Sequence, residues 1–290
     1  MVRNGNVLNS ISSLYQSLTK TEKKIADVIT QSPNVVTQYS LAQLAERLDV
    51  GEATLVRFCR TLGFKGFSDF KLAFSIDLAK TQEGRDDTVL ETQILPSDDS
   101  QTIAHKLQSA INAVMDETIN LLDFHQLEVV VEAIRGANKV FLFGVGSSGV
   151  TAEEAKNKLM RIGMQVDASG NNHFMYMQVA LLRKNDVAIG ISHSGYSQET
   201  AHALKIAKEN GATTVALTHS MRSPLTEHAD FVLVNGNKQG KLQGDSIGTK
   251  TAQLFVLDLI YALLVQAEQD KAIKTKEKTL NVILEQRIKY

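Results

Sequence analysis

The chain has 290 residues, 43% hydrophobic and 22% charged, with a formal net charge of −1 and one cysteine. That length suits two domains of ordinary globular composition, and a lone cysteine excludes an internal disulfide and a cysteine-based metal site, so no metal is expected. The longest apolar run, Leu254 to Val265, is broken by Asp258 and reads as a buried helix; with no signal pattern at residues 1–6, the expectation is a cytoplasmic protein without a membrane partner.

Residues 1–80 carry ten Lys/Arg against seven Asp/Glu, and the remainder 21 against 25, so the charge changes sign along the chain. A modest amino-terminal basic excess is compatible with nucleic acid. From Val7 to Lys80 apolar residues recur at helical spacing, with polar helix starts at Thr19, Ser40 and Ser68. Residues 40–62 read as two short helices around a tight turn at Asp49, Val50 and Gly51. Leu41, Leu44, Ala45 and Leu48 line the inner face of the first, and Leu55, Phe58, Cys59 and Leu62 that of the second. Glu52, Ala53, Thr54, Arg57 and Arg60 then project outward from the second helix, whose first residues reach base edges in the major groove. Arg57 is the expected base reader, through guanine O6 and N7, while Arg60 and Lys65 are placed for phosphates. The plain alternative is a helical pair with ordinary surface arginines.

Between Thr81 and Asp99 the chain turns acidic, with Glu83, Asp86, Asp87, Glu91, Asp98 and Asp99 against Arg85, and reads as a linker. The resulting division is a helical domain over 1–80, a linker over 81–99 and a second domain over 100–290. Helical periodicity resumes from Ser100 to Gly136, and then apolar strands alternate with helices. Strands are expected at Val140–Phe143, Gln165–Ala168, Val187–Ile191, Thr214–Leu217 and Phe231–Val234, and helices at 149–162, 172–182, 197–209 and 222–228. This pattern predicts an α/β fold, a doubly wound, five-stranded parallel sheet, behind the all-α amino-terminal domain.

Two loops stand at strand ends, Gly144-Val145-Gly146-Ser147-Ser148-Gly149 and Ser192-His193-Ser194-Gly195-Tyr196-Ser197. Glycine lets backbone approach an anion, serine hydroxyls donate to it, and the following helix offers unpaired N–H groups at its positive end. Gly146, Ser147, Ser148, Ser192, Ser194 and Ser197 are therefore phosphate candidates, with His173 and His193 able to reach a sugar hydroxyl or phosphate and Lys250 able to close over the anion. Serine also caps helices, which would explain either loop alone. The first loop further satisfies G-x-G-x-x-G, with Asp167 near the position of a ribose-binding acid, so a dinucleotide site competes with a phosphosugar site. The second serine loop favours the compact phosphosugar. Glu199, Glu153 and His173 are the available bases for an isomerase, but no pair stands out, and no catalytic residue is assigned.

The stretches LTKTEKKIADVI at 18–29, LAERLDVGEATLVRFCRTLGFKGFSDFKLA at 44–73, FGVGSSG at 143–149, ISHSGYSQET at 191–200, GATTVALTHSMRSPLTEHAD at 211–230 and TAQLFVLDLIYALL at 251–264 resemble RpiR-type bacterial transcriptional regulators. That resemblance implies a helix-turn-helix domain joined to a sugar isomerase (SIS) domain of flavodoxin-like fold. It also implies a homodimer or homotetramer on a palindromic double-stranded DNA operator, and an amino-sugar or other phosphosugar effector held by Ser147, Ser148, Ser192, Ser194 and Ser197. No cofactor is implied. Gly51 departs from the family, which usually has serine there, and so lacks a hydroxyl for the helix N-terminus. The expectation is a DNA-binding regulator of sugar-metabolism genes. A phosphosugar isomerase with a helical appendage, or a dinucleotide-sensing repressor, stands as the alternative.

Overall fold

The computed structural model describes residues 7–82, 94–236 and 247–285. They separate into two compact units, one running through Leu121 with Gly236–Gly248, the other comprising Leu122–Asn235 and Thr249 onward. Most of the expected linker lies outside the described residues.

The first unit is helical: α1 (Val7–Leu14), α2 (Lys20–Gln31), α3 (Asn34–Gln38), α4 (Leu41–Leu48), α5 (Glu52–Thr61), α6 (Phe67–Gln82) and α7 (Ser100–Leu121). Thr19 and Ser40 begin α2 and α4 with capping boxes, closed by Glu22 and Gln43. Ile25, Ala26 and Ile29 of α2, Leu44, Ala45 and Leu48 of α4, and Leu55, Phe58 and Cys59 of α5 are buried, as the helical spacing requires. Phe58, Phe64, Phe67 and Phe74 surround Phe70, with ring centroids 5.4 to 6.5 Å from it. Helix α7 belongs to this unit by its contacts, whereas the sequence placed it with the second domain. Charge composition marked the acidic stretch as a boundary, but contacts between α7 and α1 carry the unit past it.

The second unit is a five-stranded parallel sheet in the order β2-β1-β3-β4-β5. Its strands are β1 (Val140–Phe143), β2 (Val166–Ser169), β3 (Val187–Ile191), β4 (Thr213–Thr218) and β5 (Phe231–Val234). Its helices are α8 (Phe124–Arg135), α9 (Ser147–Met160), α10 (Asn172–Ala180), α11 (Gln198–Glu209), α12 (Ile247–Ala267) and α13 (Gln269–Glu285). Alternation along β1 serves both faces: Val140 and Leu142 pack with α8, α9, α12 and α13, while Phe141 and Phe143 pack with α10 and α11. Residues Gly248–Ala267 are long and apolar enough to cross a membrane, yet Ala252, Val256, Leu257, Ile260 and Leu264 are buried, and all but Ala252 join the core beneath the sheet. One expected helix is absent. Residues 222–228 form only a single tight turn at Thr226–His228, because Pro224 has no N–H and the Ser223 N–H donates to the Thr226 hydroxyl rather than to a helical carbonyl.

Candidate DNA-reading and phosphate-binding sites

In the helical unit, α4 and α5 meet at Asp49, whose backbone is left-handed (φ 53°, ψ 53°). Aspartate tolerates that conformation better than most residues, so the turn closes without the usual glycine. Lys24 of α2 lies 3.6 Å from the Asp49 carboxylate. With Leu55, Phe58 and Cys59 turned inward, Glu52, Ala53, Arg57 and Arg60 are exposed and Thr54 is half-buried. Arg57 Nη2 reaches the Thr54 hydroxyl at 3.5 Å, and Arg60 Nε donates to the Lys65 carbonyl at 3.5 Å. Lys65 is exposed beyond the end of α5. Gly51 is the N-cap residue of α5 and supplies no side-chain acceptor, so the first-turn N–H groups of this helix are uncapped. Burial pushes the Cys59 thiol up to about 12, as expected of an inert core residue.

In the α/β unit the two serine loops leave adjacent strands, since Phe143 of β1 pairs with Gly190 of β3. Chain order reverses between β1 and β3, which is where open parallel sheets bind ligands. The loop backbones are in close approach. A Cβ on Gly144 would lie 2.5 Å from the Ile191 carbonyl oxygen, and one on Gly149 would lie 2.9 Å from the Cα of Gly170 in the loop after β2. Only glycine fits where these three loops converge. Gly146 has φ +60°, and Gly195 has φ +72° with the Ser223 side chain against its open face.

Neither helix that follows these loops is capped by a side chain. Gly146 precedes α9, and Ser197 precedes α11 with its hydroxyl 3.1 Å from that of Ser192 instead of on the helix. By contrast Asp123 and Asn171 cap α8 and α10. The reading of the serines as mere N-caps therefore fails, and the N–H groups of Ser147 and Ser148 on α9 and of Gln198 and Glu199 on α11 remain open donors, while the Gly149 N–H donates to the Gly146 carbonyl at 3.1 Å. Ser192 also accepts the Gly195 N–H at 3.2 Å, and Ser194 accepts that of Tyr196 at 3.2 Å, which stiffens the second loop. Ser147 and Ser194 are exposed, and His193 is half-buried and stacked on His219 at 5.6 Å. His173 is exposed in the first turn of α10, after the loop that carries Gly170. Lys250 is exposed in the first turn of α12.

Sequence reasoning missed Gln253. It is buried one turn after Lys250, and its Nε2 donates to Ser148 Oγ at 3.3 Å, fixing a hydroxyl at the first loop. Its signal was an amide directly before the apolar run Leu254–Leu257. Asp167 does not take the place of a ribose-binding acid. It pairs with Phe141 in mid-strand, and Lys139 and Lys156 each approach it at 3.9 Å. Glu153 is engaged by Lys156 at 3.1 Å.

Family models match both units, a helix-turn-helix domain of the rpiR family over residues 5–81 and a SIS domain over 133–263. An HTH-type transcriptional regulator of Haemophilus influenzae is 74% identical over 289 residues, covering both chains completely. The chain belongs to the rpiR family of helix-turn-helix transcriptional regulators. The solved structure of the Vibrio vulnificus NanR protein complexed with ManNAc-6P matches this regulator with a TM-score of 0.62 and 25% identity, covering 98% of it and all of NanR. The sugar isomerase domain of an RpiR transcription factor from Sphaerobacter thermophilus matches with a TM-score of 0.58 and 27% identity, covering 62% of the regulator and 99% of that domain. The regulator is thus a DNA-binding, helix-turn-helix protein with a SIS domain.

Proposed function

We propose that the regulator binds a phosphorylated sugar between its two serine loops and that occupancy changes its affinity for a palindromic operator. The observation that carries this is the pair of uncapped helices, α9 and α11, opening from adjacent strands at the point where strand order reverses. Gly146, Ser147, Ser148, Ser194 and Ser197 with the open N–H groups hold the phosphate; Ser192 braces the second loop; His173, His193 and Lys250 complete the surroundings of the sugar. The likeness to NanR with ManNAc-6P favours an amino-sugar phosphate. Glu52, Ala53, Thr54 and Arg57 face base edges, and Arg60 and Lys65 face phosphates. A ligand shifts DNA affinity only by preferring one state of the protein over another.

The protein acts in the cytoplasm, without catalysis, as a homodimer or homotetramer. Supporting self-association, Phe174 and Met177 of α10 and its C-cap residue Leu181 are exposed, and residues 168–182 contain no Asp, Glu, Lys or Arg. Such an uncharged apolar stretch suits a second copy of itself better than a charged partner. The test is thermal stability with a panel of ManNAc-6P, other amino-sugar and hexose phosphates, the unphosphorylated sugars and NADH. A rise with one or more sugar phosphates and none with the free sugars supports the site. A rise with NADH alone makes it a dinucleotide sensor, and turnover of a sugar phosphate makes it an isomerase.

A further inference from the structure

Glu22 is a buried carboxylate, 6% exposed, on the third residue of α2, and it is not itself among the residues expected to touch DNA. One of its oxygens, Oε2, accepts from the Thr19 backbone N–H at 3.0 Å and the Thr19 hydroxyl at 2.8 Å. This is the local capping box, and it needs only that oxygen. The other, Oε1, accepts from the hydroxyl of Thr61, the last residue of α5, at 2.9 Å across 39 residues of sequence. The Thr61 hydroxyl also lies 3.1 Å from the Arg57 carbonyl, so it sits on the backbone of the base-reading residue itself.

Burial pulls the Glu22 carboxyl upward, but the Thr19 N–H and hydroxyl, the Thr61 hydroxyl and the Arg57 guanidinium outweigh it and hold the group below its ordinary value. A buried charge satisfied this fully has discrete geometry. Apolar packing by Leu55, Phe58 and Cys59 holds α5 against the unit, and the directional Glu22–Thr61 link adds a polar constraint on its rotation and tilt. We infer that Glu22 is a positioning residue for DNA reading: by fastening Thr61 to the start of α2 it sets the orientation of α5 and the aim of Arg57.

This inference rests on the reading of α5 as the base-reading helix. Its test uses the full chain, a duplex that the native protein enriches from a random library, and a scrambled duplex of equal length. The variants are Glu22→Gln, Thr61→Val, Arg57→Ala and Glu22→Gln combined with Arg57→Ala, each checked for melting temperature. Glu22→Gln is expected to lower the enriched-to-scrambled affinity ratio about tenfold, roughly one good base contact, while scrambled-duplex affinity stays within about twofold. Thr61→Val should lower the ratio in the same direction. Arg57→Ala should remove less discrimination in the Glu22→Gln background than in the native one, because the aim of Arg57 is already lost. An unchanged ratio with a lowered melting temperature, or parallel loss on both duplexes, makes Glu22 a structural cap only and overturns the inference. Failure of the native protein to enrich any sequence overturns the reading of α5 as well.

Discussion

In the helical unit the proposed reading groups are side-chain tips on a helix that apolar packing holds in place, as with Arg57 outside and Phe58 and Cys59 inside. In the α/β unit the proposed groups are mostly backbone N–H groups, presented by loops in which Gly144, Gly149 and Gly195 allow an approach that a Cβ would block and Gly146 adopts a left-handed φ of +60°. The two share one device. Helices α2, α4, α8 and α10 are capped by Thr19, Ser40, Asp123 and Asn171, whereas α5, α9 and α11 carry no side-chain cap; His173 on the capped α10 enters the proposed sugar site by its side chain. On the proposed reading, the missing caps on α9 and α11 leave helix ends free to meet a phosphate. The short α3 is also uncapped, after Pro33, and carries no proposed site.

If backbone geometry makes the second site, its most damaging change is the smallest one. Gly144→Ala places a methyl 2.5 Å from the Ile191 carbonyl and 2.9 Å from the Ser148 Cβ, so it should destabilise the α/β unit by about 3 kcal/mol and abolish the thermal response to a sugar phosphate. In the helical unit, Arg57→Ala should cost about 1–3 kcal/mol at an enriched operator and relax preference at one base position, read by affinities for single-base variants. Equal loss on scrambled DNA would make Arg57 a phosphate contact. Gln253→Leu leaves the Ser148 hydroxyl without its partner and should weaken sugar-phosphate binding by about 1 kcal/mol in calorimetry, with operator binding of the unliganded protein unchanged. The acid limb of unfolding separates the units further. Because Glu22 is held below its ordinary value, its stabilisation is present at neutral pH and is lost as pH falls through that lower value; Glu22→Gln should flatten this part of the stability profile of the helical unit. The smallest effect belongs to Gly51→Ser. A Cβ there meets only the Thr54 hydroxyl oxygen at 3.9 Å, and capping α5 should raise stability by roughly a few tenths of a kcal/mol in denaturant melts.

Much of this was legible because periodicity and punctuation agree with the fold. The helical spacing of Leu44, Leu48, Leu55 and Phe58 placed α4 and α5, and the apolar runs placed all five strands within one or two residues of their ends. The serine loops were legible as phosphate candidates because two glycine-and-serine loops, each between a strand and a helix, go beyond what capping one helix needs. Three things were not. The grouping of α7 with the helical unit depends on contacts across the chain, which composition does not carry. The 222–228 segment looked helical by spacing, but Pro224 and the Ser223–Thr226 bond divert its backbone groups. Gln253 and Glu22 each act through a partner more than 35 residues away, and only the fold brings Ser148 and Thr61 to them.

If the uncapped ends of α9 and α11 read a phosphate and α5 reports it on DNA, operator affinity depends on the phosphate group of the sugar. The direct measurement is fluorescence anisotropy of the full chain on its enriched duplex, titrated with ManNAc-6P and other sugar phosphates and with the same sugars lacking phosphate. At least one phosphorylated sugar should change operator affinity several-fold, its unphosphorylated form should not, and Gly144→Ala should abolish the difference. Operator affinity indifferent to every sugar phosphate, or shifted equally by the free sugar, would contradict this reading.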